Sequence, residues 1–325
     1  MYDWAEFRHF KFLLAVLKHK GFRAAVDHVF TAQPNLSKYA KEFQEQSGLV
    51  LFKKRKDRRV SLTETGIAFL SIGQGVLEAR DEAFAALLAI QRGEIRSLRL
   101  GCSPYADPAV FLATCELHRE MVPSCPIRAA YSETVELAEE VLSGELDAAI
   151  VIMPVKDQQL RIETIRRDRL VACLPSDHPC ATKATLQALD LQENLAVFYD
   201  PQQHPLAHDE LKERLVQIGV IVKEFSRASH PTEMCELVKQ GYGFALIREG
   251  SVSDPKLVTR PIAGVDWTVD TAIIYNQQQH LKTVPVLVRH LKNRLTAPAS
   301  KANQSTANTR NAPARHFPEK VKNPT

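Results

Sequence analysis

The stretch FRAAVDHVFTAQPNLSKYAKEFQEQSGLVLFKKRKDRRVSLTETG, residues 22–66, constrains this chain most, because two short apolar periodicities, a cationic hairpin pattern and a helix start follow one another without a gap. Phe22, Ala25, Val26 and Val29 fall at helical spacing. After a break at Phe30-Thr31 the same period returns in Leu36, Ala40 and Phe43, so two helices meet across a tight turn. Thr31-Ala32-Gln33-Pro34 opens the second. A proline in the first turn sacrifices no hydrogen bond, and a hydroxyl ahead of it, here Thr31, is expected to cap a free amide. Past Gly48, apolar Leu49, Leu51 and Phe52 precede six cations in the seven positions from Lys53 to Arg59, and Val60 and Leu62 follow. That pattern predicts a two-stranded wing with a charged tip.

The outer face of the second helix carries Gln33, Asn35, Ser37, Lys38 and Lys41. Short hydrogen-bonding side chains at its N-terminal end suit base edges in a major groove, and cations further along suit phosphates. Lys53, Lys54, Arg55, Arg58 and Arg59 are then expected along the sugar-phosphate backbone. Alone, a polar helix face is a solvated face and a basic run a solvated loop; their conjunction points to double-stranded DNA. Charge agrees. The whole chain carries only +4, whereas residues 1–65 hold 13 Lys and Arg against 7 Asp and Glu, so the positive field is local.

This segment resembles the winged helix-turn-helix of LysR-type transcriptional regulators. The likeness rests on Gln33-Pro34-Asn35-Leu36-Ser37, Gly48, Leu51-Phe52, Arg58-Arg59 and Leu62-Thr63-Glu64-Thr65-Gly66. Two departures replace family serines by Ala32 and Gly21, each removing a hydroxyl that could cap a helix or hold a phosphate. Backbone anchoring is expected to be weaker unless Thr31 substitutes.

From Thr63 a long helix is expected. Phe69, Ile72, Val76, Ala79, Ala83, Ala86 and Ile90 step by 3 and 4 up to Gly93, an a/d seam that calls for a partner helix. The resemblance makes it the linker that pairs two subunits; packing within the chain is the competing reading. Beyond Arg96, apolar runs at 97–102, 126–131, 148–153, 169–175, 194–200, 243–247 and 271–276 alternate with helical stretches at 108–121, 134–143, 208–218 and 232–240. That alternation argues α/β architecture with largely parallel sheets. Leu142-Ser143-Gly144-Glu145-Leu146-Asp147-Ala148-Ala149-Ile150, Leu237 to Gly243, Arg260-Pro261 and a closing helix at 284–295 resemble the effector-binding half of the same family. The likeness implies two Rossmann-like lobes akin to periplasmic binding proteins. The expected division is 1–62 for the winged helix-turn-helix, 63–93 for the linker and 97–295 for effector binding. Within the last, one lobe takes 97–171 and 266–295 and the other 172–265. The Pro-rich tail from about 296 to 325 is expected to be disordered.

Ligands of open α/β sheets sit beyond the C-terminal strand ends, near helix N-termini. Ser103, Tyr105, Thr134, Asp200, His204, Ser229 and Thr232 answer that description; for each Ser or Thr, plain helix capping is the alternative. Asp200 disfavours an acidic effector and His204 favours one, so effector charge stays open. The six cysteines show no metal spacing and are expected as buried reduced thiols, with redox sensing as the other reading and Cys173 and Cys180 as the nearest pair in sequence. No nucleophile elbow, phosphate loop or dinucleotide fingerprint occurs, and no cofactor or metal is expected. The expectation is a non-enzymatic, cytoplasmic, homo-oligomeric DNA-binding regulator without a membrane segment, answering to an unidentified small molecule. Two alternatives stand beside it: a small-molecule binder with a decayed DNA module, or an enzyme on a DNA anchor using Asp200 and His204.

Overall fold

A computed structural model describes residues 2–54 and 59–296. Helices α1 (Phe7–Lys18), α2 (Phe22–Val29) and α3 (Gln33–Ser47) bury Leu13, Leu17, Ala25, Leu36, Ala40 and Phe43 in a common core. Strands β1 (Phe52–Lys54) and β2 (Val60–Leu62) pair antiparallel with Lys53 opposite Ser61. Phe52 closes the core against Phe22, edge to face at 5.5 Å. The expectation that Thr31 caps the second helix is not met: the cap position is Ala32, and no side chain accepts from the first turn. Helix α1 had no counterpart in the sequence reading.

Phe30 ends α2 in the left-handed region (φ 50°, ψ 48°) with its ring 94% exposed. That conformation costs a β-carbon-bearing residue roughly 1–2 kcal/mol, and asparagine tolerates it better. Phe30→Asn is therefore expected to raise stability by about 0.5–1 kcal/mol, read as a higher urea midpoint at constant slope. An unchanged midpoint would show that the ring recovers the strain through contacts of its own.

Helix α4 (Glu64–Gln91) starts at Thr63, whose Oγ1 accepts the Gly66 N–H at 3.0 Å and donates to the Val50 carbonyl at 2.6 Å. The Thr63 N–H donates to the Leu51 carbonyl at 3.1 Å. These bonds explain the Leu-Thr-x-x-Gly pattern, which welds the helix start to the wing base. The seam expected to await a partner is largely covered within the chain. Phe69 stacks on Phe10 at 5.6 Å, Ala86 is buried, and Val76, Ala79, Ala83 and Ile90 are half-buried. Ile72 is exposed, together with Ile67, Phe84, Leu87 and Leu88, which the a/d spacing did not select.

The remaining strands form one mixed sheet in the order β4 (Ile127–Tyr131), β3 (Leu98–Cys102), β5 (Ala148–Ile152), β11 (Thr268–Asn276), β6 (Leu160–Pro175), β9 (Phe244–Arg248), β7 (Leu195–Tyr199), β8 (Ser226–Ala228), with β10 (Leu257–Arg260) also on β6. The expected parallel character holds for β3 with β4 and β5 and for β7 with β8 and β9, whereas every pairing made by β6 and β11 is antiparallel. β6 belongs to both halves: Leu160 to Arg169 pairs with β11, and Leu170 to Pro175 with β9 and β10. Its first half escaped the sequence reading because Arg161, Glu163, Arg166 and Arg167 interrupt the apolar run.

Helices α5 (Pro108–Met121), α6 (Thr134–Ser143) and α10 (Val284–Thr296) cover the first half; α7 (Ala188–Asn194), α8 (Pro205–Gln217) and α9 (Pro231–Lys239) cover the second. The motif around Asp147 has a structural reason. Its carboxylate takes the Arg99 N–H at 2.8 Å and the Arg99 guanidinium at 2.7 and 3.2 Å, while that guanidinium also donates to the Gly144 carbonyl at 2.7 Å. Gly241-Tyr242 closes α9 as a Schellman turn, with Gly241 N–H donating to Val238 and Tyr242 N–H to Leu237. Among the described residues no helix is long and apolar enough to cross a membrane.

Candidate nucleic-acid interface and ligand cleft

Burying Leu36, Ala40 and Phe43 turns the opposite side of α3 to solvent. Gln33, Pro34, Asn35, Lys38 and Lys41 are exposed and Ser37 is half-buried. Lys41 meets Glu45 at 3.5 Å with both groups well exposed, a pair worth little in water. The first turn of α3 contains no acidic residue, so its free amides present an uncompensated positive end. Between α3 and the wing base lies an open groove of about 590 Å³ lined by Pro34, Ser37, Lys38, Lys41, Leu49 and Val50. Lys53 and Arg59 flank the wing as exposed residues. Arg55, Arg58 and the Lys54 side chain lie outside the described residues.

Near the shared strand, two cavities of about 250 Å³ each use Ile152, Leu170, Tyr199, Leu246 and Val269 as common walls. One is apolar with polar points at Tyr105, Thr232, His230, Ser251 and Arg248. Tyr105 spans the two halves: its hydroxyl donates to the Ala228 carbonyl at 3.1 Å, and its ring meets Tyr199 edge-on at 5.8 Å. Burial pushes both phenols well above their ordinary range, so they act only as neutral groups.

The other expected cleft residues divide. Ser103 and Thr134 are buried, and neither hydroxyl has a partner among the described residues. Such unmatched groups cost free energy unless a ligand or water meets them. Glu133, just ahead of Thr134, is pushed up to about 7 by burial and by Glu136. Asp200 stabilises its own turn by accepting the Gln202 N–H at 3.0 Å. Ser229 and Thr232 are exposed, and the cap of α9 is His230, which takes the Thr232 N–H at 3.2 Å.

His204 is committed to the fold. Its Nδ1 accepts the Ala207 N–H at 3.4 Å at the start of α8, and its Nε2 lies 3.2 Å from the Ile152 carbonyl, which fixes Nε2 as the donor. Burial pushes its pKa down, so the ring is neutral and supplies no cation for an acidic effector. The cation at the wall of the cavity that Tyr105 lines is Arg248, which the sequence reading missed although it sits at the C-terminal end of a strand, where the search rule pointed; Arg214 lines the other cavity. Arg248 belongs to a four-membered network. Arg166 Nη1 lies 2.7 Å from Asp107 Oδ2, as an ion pair and not a well-aligned hydrogen bond, and Arg166 Nε bonds Asp168 at 2.7 Å. Arg248 approaches Asp107 and Asp168 at 3.7 and 3.9 Å.

The cysteine pair nearest in sequence does not share a cluster. Cys180 Sγ donates to Asp190 Oδ1 at 3.6 Å and packs in the α7–α8 cluster, whereas Cys173 on β6 lies in the cluster against which Cys235 of α9 packs. Among the described residues no group of three or more His, Cys, Asp or Glu could hold a metal ion.

Residues 7–67 match the profile of the bacterial regulatory helix-turn-helix protein, lysR family, and residues 91–296 that of the LysR substrate binding domain. The chain is 24% identical over 298 residues to the transcriptional regulator AlsR of Bacillus subtilis, covering 89% of this chain and 95% of AlsR. It is 27% identical over 261 residues to the Hca operon transcriptional activator HcaR of Escherichia coli, covering 80% and 88%. In fold it is similar to full-length CbnR complexed with its target DNA, with a TM-score of 0.53 at 18% identity over 90% of this chain and 100% of that one.

Proposed function

Because the chain belongs to the LysR family of helix-turn-helix transcriptional regulators, we propose that it reads operator DNA through α3 and the β1–β2 wing and responds to a small molecule held between its two α/β halves. The observation that carries the reading is the face of α3: Gln33, Asn35 and Lys38 stand exposed at an N-terminal end free of acidic groups, beside a cationic wing. Gln33 and Asn35 read base edges, Ser37 and Pro34 shape the approach, and Lys38, Lys41 and the Lys53 to Arg59 wing hold phosphates. We take 1–62, 63–93 and 97–295 as the DNA-binding, linker and effector-binding parts. A second copy covers the exposed Ile67, Ile72, Phe84, Leu87 and Leu88 of α4, so that two α3 helices address a roughly palindromic site in the cytoplasm.

In the cleft, Tyr105, Thr232 and Arg248 are the proposed effector contacts, with Ser103 and Thr134 as hydroxyls awaiting a partner. A ligand with higher affinity for one relative placement of the halves shifts the population toward it, and the DNA geometry with it.

The test is binding to the DNA upstream of the protein's own gene across a salt series. Gln33→Ala is expected to cost about 1–2 kcal/mol on the preferred site and to relax sequence preference. Lys53→Ala is expected to weaken all sequences alike and lower the salt slope by about 1. A Gln33 variant that lowers affinity evenly for random and operator DNA would contradict base reading by α3.

A further inference from the structure

Ser103 and Thr134 share one direction. Leu98, Leu100 and Cys102 of β3 pack in the core with α5 and α10, whereas a β-carbon at Gly101 would meet Leu137 of α6 at 2.6 Å. Side chains alternate along extended chain, so Ser103, two residues past Gly101, points to the α6 side, where Thr134 opens that helix. The two residues are only 1% and 3% exposed, and both hydroxyl oxygens lack a partner among the described residues.

Three carboxylates stand at the same end of the cleft. Cys102 pairs with Tyr131, so the chain leaving β4 brings Glu133 beside the turn that holds Ser103 and Tyr105. From the other half, the Ala228 carbonyl accepts the Tyr105 hydroxyl at 3.1 Å and the Asp200 N–H at 2.9 Å, while Glu233 takes the next N–H, that of Ser229, at 2.8 Å. Besides burial, the charges of Glu133, Glu233 and Asp200 all raise the Tyr105 phenol. Among the described residues Glu133, Asp200 and Glu233 enter no ion pair; Asp200 and Glu233 bond backbone N–H groups. The neighbouring cations are already matched, because Arg166 and Arg248 face Asp107 and Asp168, and His204 is neutral.

We propose that the effector of this cleft is an organic amine, whose ammonium group lies between Glu133 and the Asp200–Glu233 side and donates to the Ser103 and Thr134 hydroxyls, with its hydrocarbon body against Tyr105 and Tyr199. This class deepens the cleft reading proposed above and rests on it. An acidic effector would add a fourth negative charge to a partly buried set that nothing compensates. A cation relieves that repulsion, gives both hydroxyl oxygens a donor, and does so with charged hydrogen bonds, the stronger kind. The positive end of α6 recruits no anion, since Glu133 at its cap and Glu136 in its first turn already offset it.

Calorimetric titration of the full-length protein compares shape-matched pairs: phenethylamine with 3-phenylpropanoate, and putrescine with adipate. At least one amine is expected to bind with a Kd about tenfold or more below that of its acid. Glu133→Gln and Asp200→Asn are each expected to weaken that amine about tenfold, and Thr134→Val about fivefold, without weakening the acid. In the absence of any probe, Glu133→Gln is expected to raise the urea midpoint, because it removes an unmatched charge; a lower midpoint would reveal an internal partner for Glu133 and overturn the site. An acid that binds more tightly than its amine, two amines that do not bind, or an amine indifferent to both carboxylate variants overturns the proposal. Operator binding is measured on the same preparations. Intact DNA binding with an acid preferred overturns the amine and leaves the regulator reading standing, whereas an amine bound through Glu133 by a protein that holds no DNA overturns the regulator reading and leaves the amine site.

Discussion

Gly66→Ala is expected to destabilise the DNA-binding module by about 2–3 kcal/mol, among the larger effects of a single methyl group in this chain. A β-carbon at Gly66 would sit 2.0 Å from the Leu51 carbonyl oxygen and 3.0 Å from its carbon. Both are backbone atoms, so no rotamer change relieves the overlap. The Leu51 carbonyl is also where the Thr63 N–H ends, and the Leu51 N–H is bonded to Gln44 Oε1 at 2.9 Å. Displacing it pulls on the wing base, the end of α3 and the start of α4 together. Affinity for DNA should fall with stability, because the wing loses its placement relative to α3. Gly75 of the same helix supplies the contrast: a β-carbon there meets nothing within 4 Å. Gly75→Ala is expected to stabilise by about 0.5–1 kcal/mol through helix propensity alone. Urea denaturation of the full chain separates the two, and similar shifts at both positions would remove the argument from close approach.

The second large effect is expected at Asp107, whose side chain is only 5% exposed. Its Oδ1 caps α5 by accepting the Ala109 N–H at 3.0 Å, and its carboxylate faces Arg166 and Arg248. Removing a cap costs about 1 kcal/mol. Stripping the partner from buried charge costs about 3–5 kcal/mol, discounted here because Arg166 is 44% exposed and keeps Asp168. Asp107→Ala should thus lose about 2–4 kcal/mol. Asp107→Asn keeps the capping oxygen and the volume, and should lose clearly less. Calorimetry provides the measure, since about 3 kcal/mol lowers the midpoint of a domain of this size by roughly 6–12 °C. Asp107 stands before α5, Arg166 and Asp168 on β6, and Arg248 at the end of β9, so the network spans the two halves. An alanine variant should therefore also loosen their mutual placement and alter the response to an effector. Equal midpoints for the alanine and asparagine variants would mean that the charge, not the cap, carries the effect.

Much of this architecture was legible because it is local. Leu36, Ala40 and Phe43 repeat at the helical period whatever they pack against, and the Leu-Thr-x-x-Gly spacing records a helix cap closed within three residues, although its weld to Val50 and Leu51 reaches back across the wing. The strands at 148–152 and 195–199 announced themselves as continuous apolar runs because both of their faces are largely covered. The first half of β6 did not, since its charges pair across the sheet and the strand is stabilised by β11 and not by its own hydrophobicity.

What the sequence determined by itself was the order of elements, the cationic face of α3 and the wing, and the family to which the chain belongs; periodicity and short-range hydrogen bonding suffice for these. Only the tertiary structure decided which apolar face of α4 the chain covers, that His204 is a neutral structural cap while Arg248 lines the cavity, and that Cys173 shares a packed cluster with Cys235 and not with the nearer Cys180. Each of those depends on residues distant in sequence converging, for α4 against α1 and α10 and for the others where the two halves of the sheet join. Distance along the chain carries no record of that convergence, because burial, pairing and charge partnership are properties of the packed molecule.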